Sequence, residues 1–166
     1  AHSEIGTAAV MFYMAAYVLM NVGAFAVVAH VCGRQERFVE LEDFAGLGER
    51  QPVSAALLTV FLLSLIGVPL TAGFFGKFYI FRAALQADLV WLTVLGLLAS
   101  AVAAYYYLRI IVIMYMHQPA ESAAELPPLR GALGAAVWIS AAGTLVLGIF
   151  PSLILNFAGN SALLAR

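Results

Sequence analysis

The segment Gly67-Val-Pro-Leu-Thr-Ala-Gly-Phe-Phe-Gly-Lys77 decides how this 166-residue chain folds. Upstream of it runs an apolar helix, Val53 to Ile66, and downstream a second apolar half, Phe74 to Leu85. Between the halves Pro69 lacks a backbone N–H, and Gly67 and Gly73 weaken helix, so the backbone is predicted to open there. Open backbone survives in hydrocarbon only where protein or enclosed water satisfies it. A lysine one turn beyond such a break marks a candidate functional site. The plainer alternative is a Lys77 that snorkels to the membrane surface. The helix runs on to Asp88, roughly 15 Å at 1.5 Å per residue, and a lysine stem covers roughly 6 Å of that. Arg82, nearer the same end, is the residue placed to snorkel. Lys77, the only lysine in the chain, is expected to point into protein.

Composition names the solvent. Hydrophobic residues make up 64% of the chain and charged residues 10%, where a soluble domain carries about 25% charged residues. Mean hydropathy is +0.98. These values describe an all-α integral membrane protein in a lipid bilayer. A net charge of −1, with no basic cluster, carries no nucleic-acid signal. Cys32 stands alone, which excludes a disulfide framework and a Cys-based metal site. The start, Ala-His-Ser-Glu-Ile, has neither an initiator methionine nor a basic region, so it is not a signal peptide. It reads as a chain that begins within a longer protein.

Four transmembrane helices are expected, the second discontinuous near Gly67–Gly73, over about 5–32, 53–87, 89–116 and 131–157. The first is long enough to span ~30 Å with some tilt. Its small residues Ala15, Ala16, Gly23, Ala24 and Ala26 would let neighbours approach closely. Asn21, near its middle, is expected to hydrogen-bond another helix. His30 lies near its end, where an interfacial or satisfied histidine is the ordinary reading and a proton-path role the sharper one. Residues 33–51 form the most polar stretch, a solvated loop in which Leu41, Phe44 and Leu47 predict a short surface helix. The second half of the broken helix is too short to span alone. Positions 53–87 are therefore read as one interrupted crossing, with a re-entrant hairpin as the alternative. Asp88 suits an N-cap for the third span.

The third span contains Tyr105, Tyr106, Tyr107 and Arg109. Consecutive helical residues point about 100° apart, so the three tyrosines cannot share a face and at least one looks inward. A buried hydroxyl wants a partner. Arg109 is balanced between interfacial anchor and interior cation. Pro119, Pro127 and Pro128 mark a loop over 117–130, and Pro151 ends or kinks the fourth span. The loops at 33–51 and 117–130 hold Arg34, Arg37, Arg50 and Arg130, and the other side only Arg166 and a snorkelling Arg82. Lysine and arginine concentrate in cytoplasmic loops. Both loops are therefore expected in the cytoplasm.

Three runs carry a resemblance. Ala16-Tyr-Val-Leu-Met-Asn-Val-Gly-Ala-Phe25, Phe61-Leu-Leu-Ser-Leu-Ile-Gly-Val-Pro-Leu-Thr-Ala-Gly-Phe-Phe-Gly-Lys-Phe-Tyr79 and Ala104-Tyr-Tyr-Tyr-Leu-Arg109 resemble the antiporter-like membrane subunits of bacterial NADH:quinone oxidoreductase, respiratory complex I. The resemblance runs through nearly the whole chain, and the Tyr-Tyr-Tyr-Leu-Arg run is most similar to subunit N. It implies a proton-translocating membrane-arm subunit in the bacterial inner membrane, packed against neighbouring antiporter-like subunits. In that family two inverted repeats each hold a broken helix, and buried lysines and a glutamate form the proton path. Lys77 matches the lysine of the second broken helix, which exchanges protons with the outside half-channel. Residues 1–166 then correspond to the C-terminal part of the subunit, and alone would translocate nothing.

Burial suits Lys77 to that role, because a desolvated ammonium is costly and gives up its proton readily. Phe74, Phe75 and Phe78 are expected to keep bulk water away, and Gly73 and Gly76 to leave room for water at the break. No Ser-His-Asp set, phosphate-binding loop or metal-ligand cluster appears in the sequence. The chain itself is thus expected to do no redox chemistry and to bind no cofactor. The resemblance assigns NADH, FMN, iron–sulfur clusters and quinone to other subunits of the implied enzyme. Two further readings stay open. A multisubunit cation/proton antiporter or membrane-bound hydrogenase shares the Gly-Phe-x-Gly-Lys helix, and a structural interaction module would carry no protons.

Sidedness is directly testable. In the full-length subunit without Cys32, Gln35→Cys is expected to react with impermeant thiol reagents in inside-out vesicles and to stay unlabelled in intact cells. Labelling from outside would invert the topology.

Overall fold

The computed structural model describes residues 4–33, 40–119 and 128–152, and the regular structure among them is helical. In order come α1 (Glu4–Cys32), a 3-10 turn (Leu41–Phe44), the single turn α2 (Leu47–Arg50), α3 (Pro52–Ile66), α4 (Ala72–Gln86), α5 (Val90–Met116) and α6 (Gly131–Ile149). Three of them are long and apolar enough to cross a membrane, over Gly6–Cys32, Val90–Met116 and Gly131–Ile149. α3 and α4 have 15 residues each, about 22 Å at 1.5 Å per residue, short of the ~30 Å hydrocarbon core. α6 stops at Ile149, and Phe150 closes it by donating its N–H to the Val146 carbonyl at 2.8 Å. Pro151 thus follows the end of the helix and does not kink it; the last expected residues of that span, 153–157, lie outside the described residues.

α1 is the template on which the others assemble, packing against α3, α4 and α6. The order of contacts along it is informative. His30 meets Gln51 at the start of α3, Gly23 meets the Phe61 ring, and Met20 meets Ser64. Further back along α1, Tyr13 meets Gly76 and Phe12 meets Tyr79, both on α4. As α1 is read backwards, α3 and then α4 are read forwards, so the two short helices run in one direction antiparallel to α1. α5 returns beside them, with Gly96 against Phe81 and Tyr115 against Gly48. α6 lies on α1 through Gly143 and Leu19, and its Gly148 abuts Leu70 and Thr71.

Inside a bilayer there is little water to expel, so close packing at small residues is what holds helices together. Ala16 and Ala24 of α1 are buried, and so is Gly23, where a Cβ would overlap the Phe61 ring. The main core gathers Val27, Leu47, Leu58, Phe61, Met114 and Val137. A smaller one joins Phe12, Ala16, Met20, Ala72 and Leu147 near the break. Of the residues expected in the polar loop's surface helix, Phe44 and Leu47 are buried and Leu41 is exposed.

Two local expectations are corrected. Asp88 does not cap α5, whose N-cap is Leu89. Asp88 instead sits in the left-handed region at φ 57 and closes α4. Its N–H bonds the Leu85 carbonyl at 3.1 Å, and the Leu89 N–H bonds the Ala84 carbonyl at 2.9 Å. This pair of bonds is a Schellman ending, and aspartate tolerates the left-handed conformation it needs. Asn21 bonds the Tyr17 carbonyl of its own helix at 2.8 Å, one turn back, and not a neighbouring helix.

A Cβ at Gly73 would overlap the Ser64 carbonyl oxygen, a backbone atom that cannot swing away. At Gly96 the nearest atom would be 2.8 Å away on the Phe81 ring, which can. Gly73→Ala is accordingly expected to cost about 1–3 kcal/mol, as overpacking does, and Gly96→Ala less. Thermal unfolding of the purified full-length subunit in detergent measures both, and equal shifts would refute the close approach at Gly73.

Candidate functional site

The site is built by the way α3 ends. Gly67 takes the left-handed conformation at φ 96, which a side chain would resist, and turns the chain out of the helix. The N–H groups of Gly67 and Val68 both bond the Leu63 carbonyl at 3.0 Å. That turn leaves the later carbonyls of α3 to find other partners. Lys77 supplies them. Its Nζ donates to the Leu65 carbonyl at 2.9 Å and to the Ile66 carbonyl at 3.0 Å. The ammonium therefore rests at the negative end of the α3 dipole, with its stem passing over Gly67.

The start of α4 has the converse need, for acceptors. The Gly73 N–H donates to Ser64 Oγ at 3.1 Å, and the Ser64 hydroxyl donates to Met20 Sδ on α1 at 2.8 Å. Thr71 stands at the N-cap of α4, where its hydroxyl donates to the Val68 carbonyl at 2.6 Å and so ties the connecting turn to itself. Each broken end is thus satisfied by a side chain of the other. α3 lends Ser64, and α4 lends Lys77.

Beside this stitch lies an open cavity of about 420 Å³ between α1, the break and α5. Its polar side chains are Lys77, Ser64, Tyr13, Tyr17, Ser100 and Tyr107. Tyr13 and Tyr17 stack with ring centroids 5.6 Å apart, and Ser100 donates to the Gly96 carbonyl at 2.9 Å. Leu65, Ile80 and Phe81 form its apolar wall.

Of the residues expected at the site, Lys77 is half-buried and lines this cavity together with Gly73. The three tyrosines part company as their spacing requires. Tyr107 lines the cavity, while Tyr105 and Tyr106 are 71% and 46% exposed. The Tyr106 ring lies 4.4 Å from that of Tyr107. Arg109 is exposed and is not among the lining residues. His30 is buried but sits at the opposite end of α3, where its Nε2 pairs with Gln51 Oε1 at 3.0 Å and Ser54 donates to the same oxygen at 2.6 Å. Gly67 and Pro69 belong to the turn between α3 and α4.

The phenylalanines and glycines of α4 take the following places. Phe74, Phe75 and Phe78 stack along α4 outside the cavity lining, and Phe78 is exposed. Gly73 and Gly76 admit Ser64 and Tyr13 and so allow close packing of helices, and Gly73 also lines the cavity. Ser64, Tyr13, Tyr17 and Ser100 went unnoticed in the sequence. The signal for three of them was spacing. Tyr13, Tyr17 and Met20 fall on one helical face, and so do Gly96, Ser100, Ala103 and Tyr107. Among the described residues no three His, Cys, Asp or Glu side chains gather into a metal-binding group.

The chain is similar to known proteins. Residues 1–103 match the family described as NADH:quinone oxidoreductase/Mrp antiporter, TM. NADH-quinone oxidoreductase subunit N 1 of Solibacter usitatus is 60% identical over 98% of this chain and 33% of its own length. Subunit N of Trichlorobacter lovleyi is 47% identical over 92% of this chain and 31% of its own length. The chain spans about a third of the length of these curated relatives. Among solved structures, respiratory complex I from Thermus thermophilus with bound aureothin matches with a TM-score of 0.75 at 34% identity, over 90% of this chain and 34% of that one. The Mrp complex from Dietzia sp. matches with a TM-score of 0.81 over 96% of this chain and 38% of that one, and at 20% identity it shows the fold alone.

Proposed function

The chain belongs to the NADH:quinone oxidoreductase/Mrp antiporter membrane family, and from that premise we propose that it is the C-terminal part of a proton-translocating membrane-arm subunit of NADH:quinone oxidoreductase. Lys77 is its proton-transfer residue. The observation that carries this is the seat of Lys77, an ammonium held by two carbonyls at a helix break and facing a cavity lined by hydroxyls. An interior lysine has no packing advantage over an apolar residue, and in membrane helices ionisable groups cluster on ion and proton pathways. Tyr107 is the nearest proton-path candidate on α5. Arg109 and His30 fit an interfacial anchor and a helix-end staple better than a proton path, given their places.

In this reading α3 and α4 together make one interrupted crossing, the second of four. Their common direction along α1 favours a crossing over a re-entrant hairpin, because a hairpin would reverse it. The loops over 33–51 and 117–130 then face the cytoplasm of a bacterial cell, with the inner membrane as host. The partners are the other membrane-arm subunits, neighbouring antiporter-like ones included. NADH, FMN, iron–sulfur clusters and quinone act in the rest of the complex. The family description also embraces Mrp antiporters; the subunit N relatives, at up to 60% identity, favour the oxidoreductase.

In the assembled complex, reconstituted into vesicles, Lys77→Ala is expected to assemble but to lose most proton pumping and the quinone reduction coupled to it. A guanidinium stays protonated at any accessible pH, so Lys77→Arg is expected to assemble and pump poorly too. Rescue by arginine would reduce Lys77 to a fixed counter-charge, and full pumping by Lys77→Ala would remove it from the path.

The tyrosines give a separate check. Tyr107→Phe is expected to slow pumping several-fold and Tyr105→Phe to leave it within twofold of wild type, since only the former hydroxyl borders the cavity. The reverse order would move the path out of this cavity.

A further inference from the structure

Ser64 is where the two ends of the break meet. It is fully buried, on the cavity wall, with its hydroxyl accepting from Gly73 of α4 and donating to Met20 of α1. A serine hydroxyl has one proton to give and two lone pairs to share. Here the proton goes to one neighbouring helix and a lone pair to the other, so a single side chain ties α3 to both. The next two residues in the chain are Leu65 and Ile66, whose carbonyls hold Lys77. The chain leaves the helix at Gly67, and its last backbone bonds run to the Leu63 carbonyl, so the Leu65 and Ile66 carbonyls lie beyond the helical ladder. Anchoring Ser64 therefore sets where those two carbonyls point.

We propose that Ser64 is a positioning residue for proton transfer at Lys77, its hydroxyl holding the last turn of α3 so that the Leu65 and Ile66 carbonyls receive the ammonium. This rests on the role given to Lys77 above. A plain structural staple would make the same bonds, and the two differ in whether the effect of Ser64 passes through Lys77. Groups that act through one another are non-additive, and independent ones add.

The test uses the full-length subunit in its assembled complex in vesicles, reading proton pumping and residual quinone reduction. Ser64→Ala is expected to assemble and to slow both roughly three- to tenfold, the range that one net hydrogen bond covers. Ser64→Thr, which keeps the hydroxyl, is expected to recover most of the rate. In the Lys77→Ala background Ser64→Ala is expected to subtract nothing further from the residual quinone reduction. Should Ser64→Ala fail to assemble, Ser64→Cys takes its place, with nearly the same shape and a weak acceptor. A wild-type rate in the hydroxyl-less variant, a threonine variant no better than alanine, or a full additional loss in the Lys77→Ala background each overturns the proposal. If Lys77→Ala alone is defective and Ser64→Ala is not, only the role of Ser64 falls. If Lys77→Ala pumps normally, the reading of Lys77 falls first.

Discussion

A helix interrupted among apolar neighbours must find partners for the carbonyls at one broken end and the N–H groups at the other. Each group left bare in such surroundings costs several kcal/mol. In this chain the two ends answer one another. Lys77 of α4 takes the Leu65 and Ile66 carbonyls, and Ser64 of α3 takes the Gly73 N–H. For that exchange the helices must nearly touch, which is why position 73 carries no side chain. Thr71 closes the intervening turn on itself. The position of the lysine is therefore a consequence of how the backbone is satisfied.

The rest of the bundle keeps this arrangement in place. α1 runs past both halves, touching α3 at Gly23 and Met20 and α4 at Tyr13 and Phe12, so it splints the break from outside. α6 presses Gly148 onto Leu70 and Thr71 from another side. α5 packs less closely there. Its facing residues Gly96, Ala99, Ser100 and Ala103 are small, and the space they leave opposite Tyr13 and Tyr17 is the cavity. At about 420 Å³ it has room for on the order of ten water molecules. Tight contact on one flank of Lys77 and space on the other come from the same economy of small residues.

Much of this was legible in the sequence, for physical reasons that can be named. The turn that separates α3 from α4 was readable because proline and glycine act locally, through a missing N–H and a permissive φ, whatever the surroundings. The long helices were readable because apolar length is itself the signal, and α1 and α5 begin within a residue of expectation. That at least one inward tyrosine would be found among 105–107 followed from helical geometry; that it is Tyr107 did not, since the sequence does not say where the partner helix lies. The polar groups were misjudged where local and distant partners compete. Asn21 turned to its own backbone, and Asp88 closed the helix before it in place of opening the one after. Ser64 looked like any helical serine, because its two partners lie 44 and 9 residues away in sequence. Gly73 and Gly76 announced close approach but not whether water or another helix would fill the space.

The seat of Lys77 also bears on how a cap and a proton carrier can be one residue. The seat offers carbonyl acceptors alone, which an ammonium with three N–H donors matches and a neutral amine, with two donors and a lone pair, matches less well. The cavity offers hydroxyls, and each of those can donate or accept. Tyr13, Tyr17, Ser100 and Tyr107 line it together with Lys77. The carbonyl seat and the cavity's hydroxyls thus differ in which protonation state of the amine they can satisfy. On the reading proposed for Lys77, capping a helix end and carrying a proton would make the same demand on this position, a cation that can be taken off its carbonyls. An arginine would satisfy the carbonyls permanently and an apolar residue never, so under that proposal the helix end and the proton would select the same side chain.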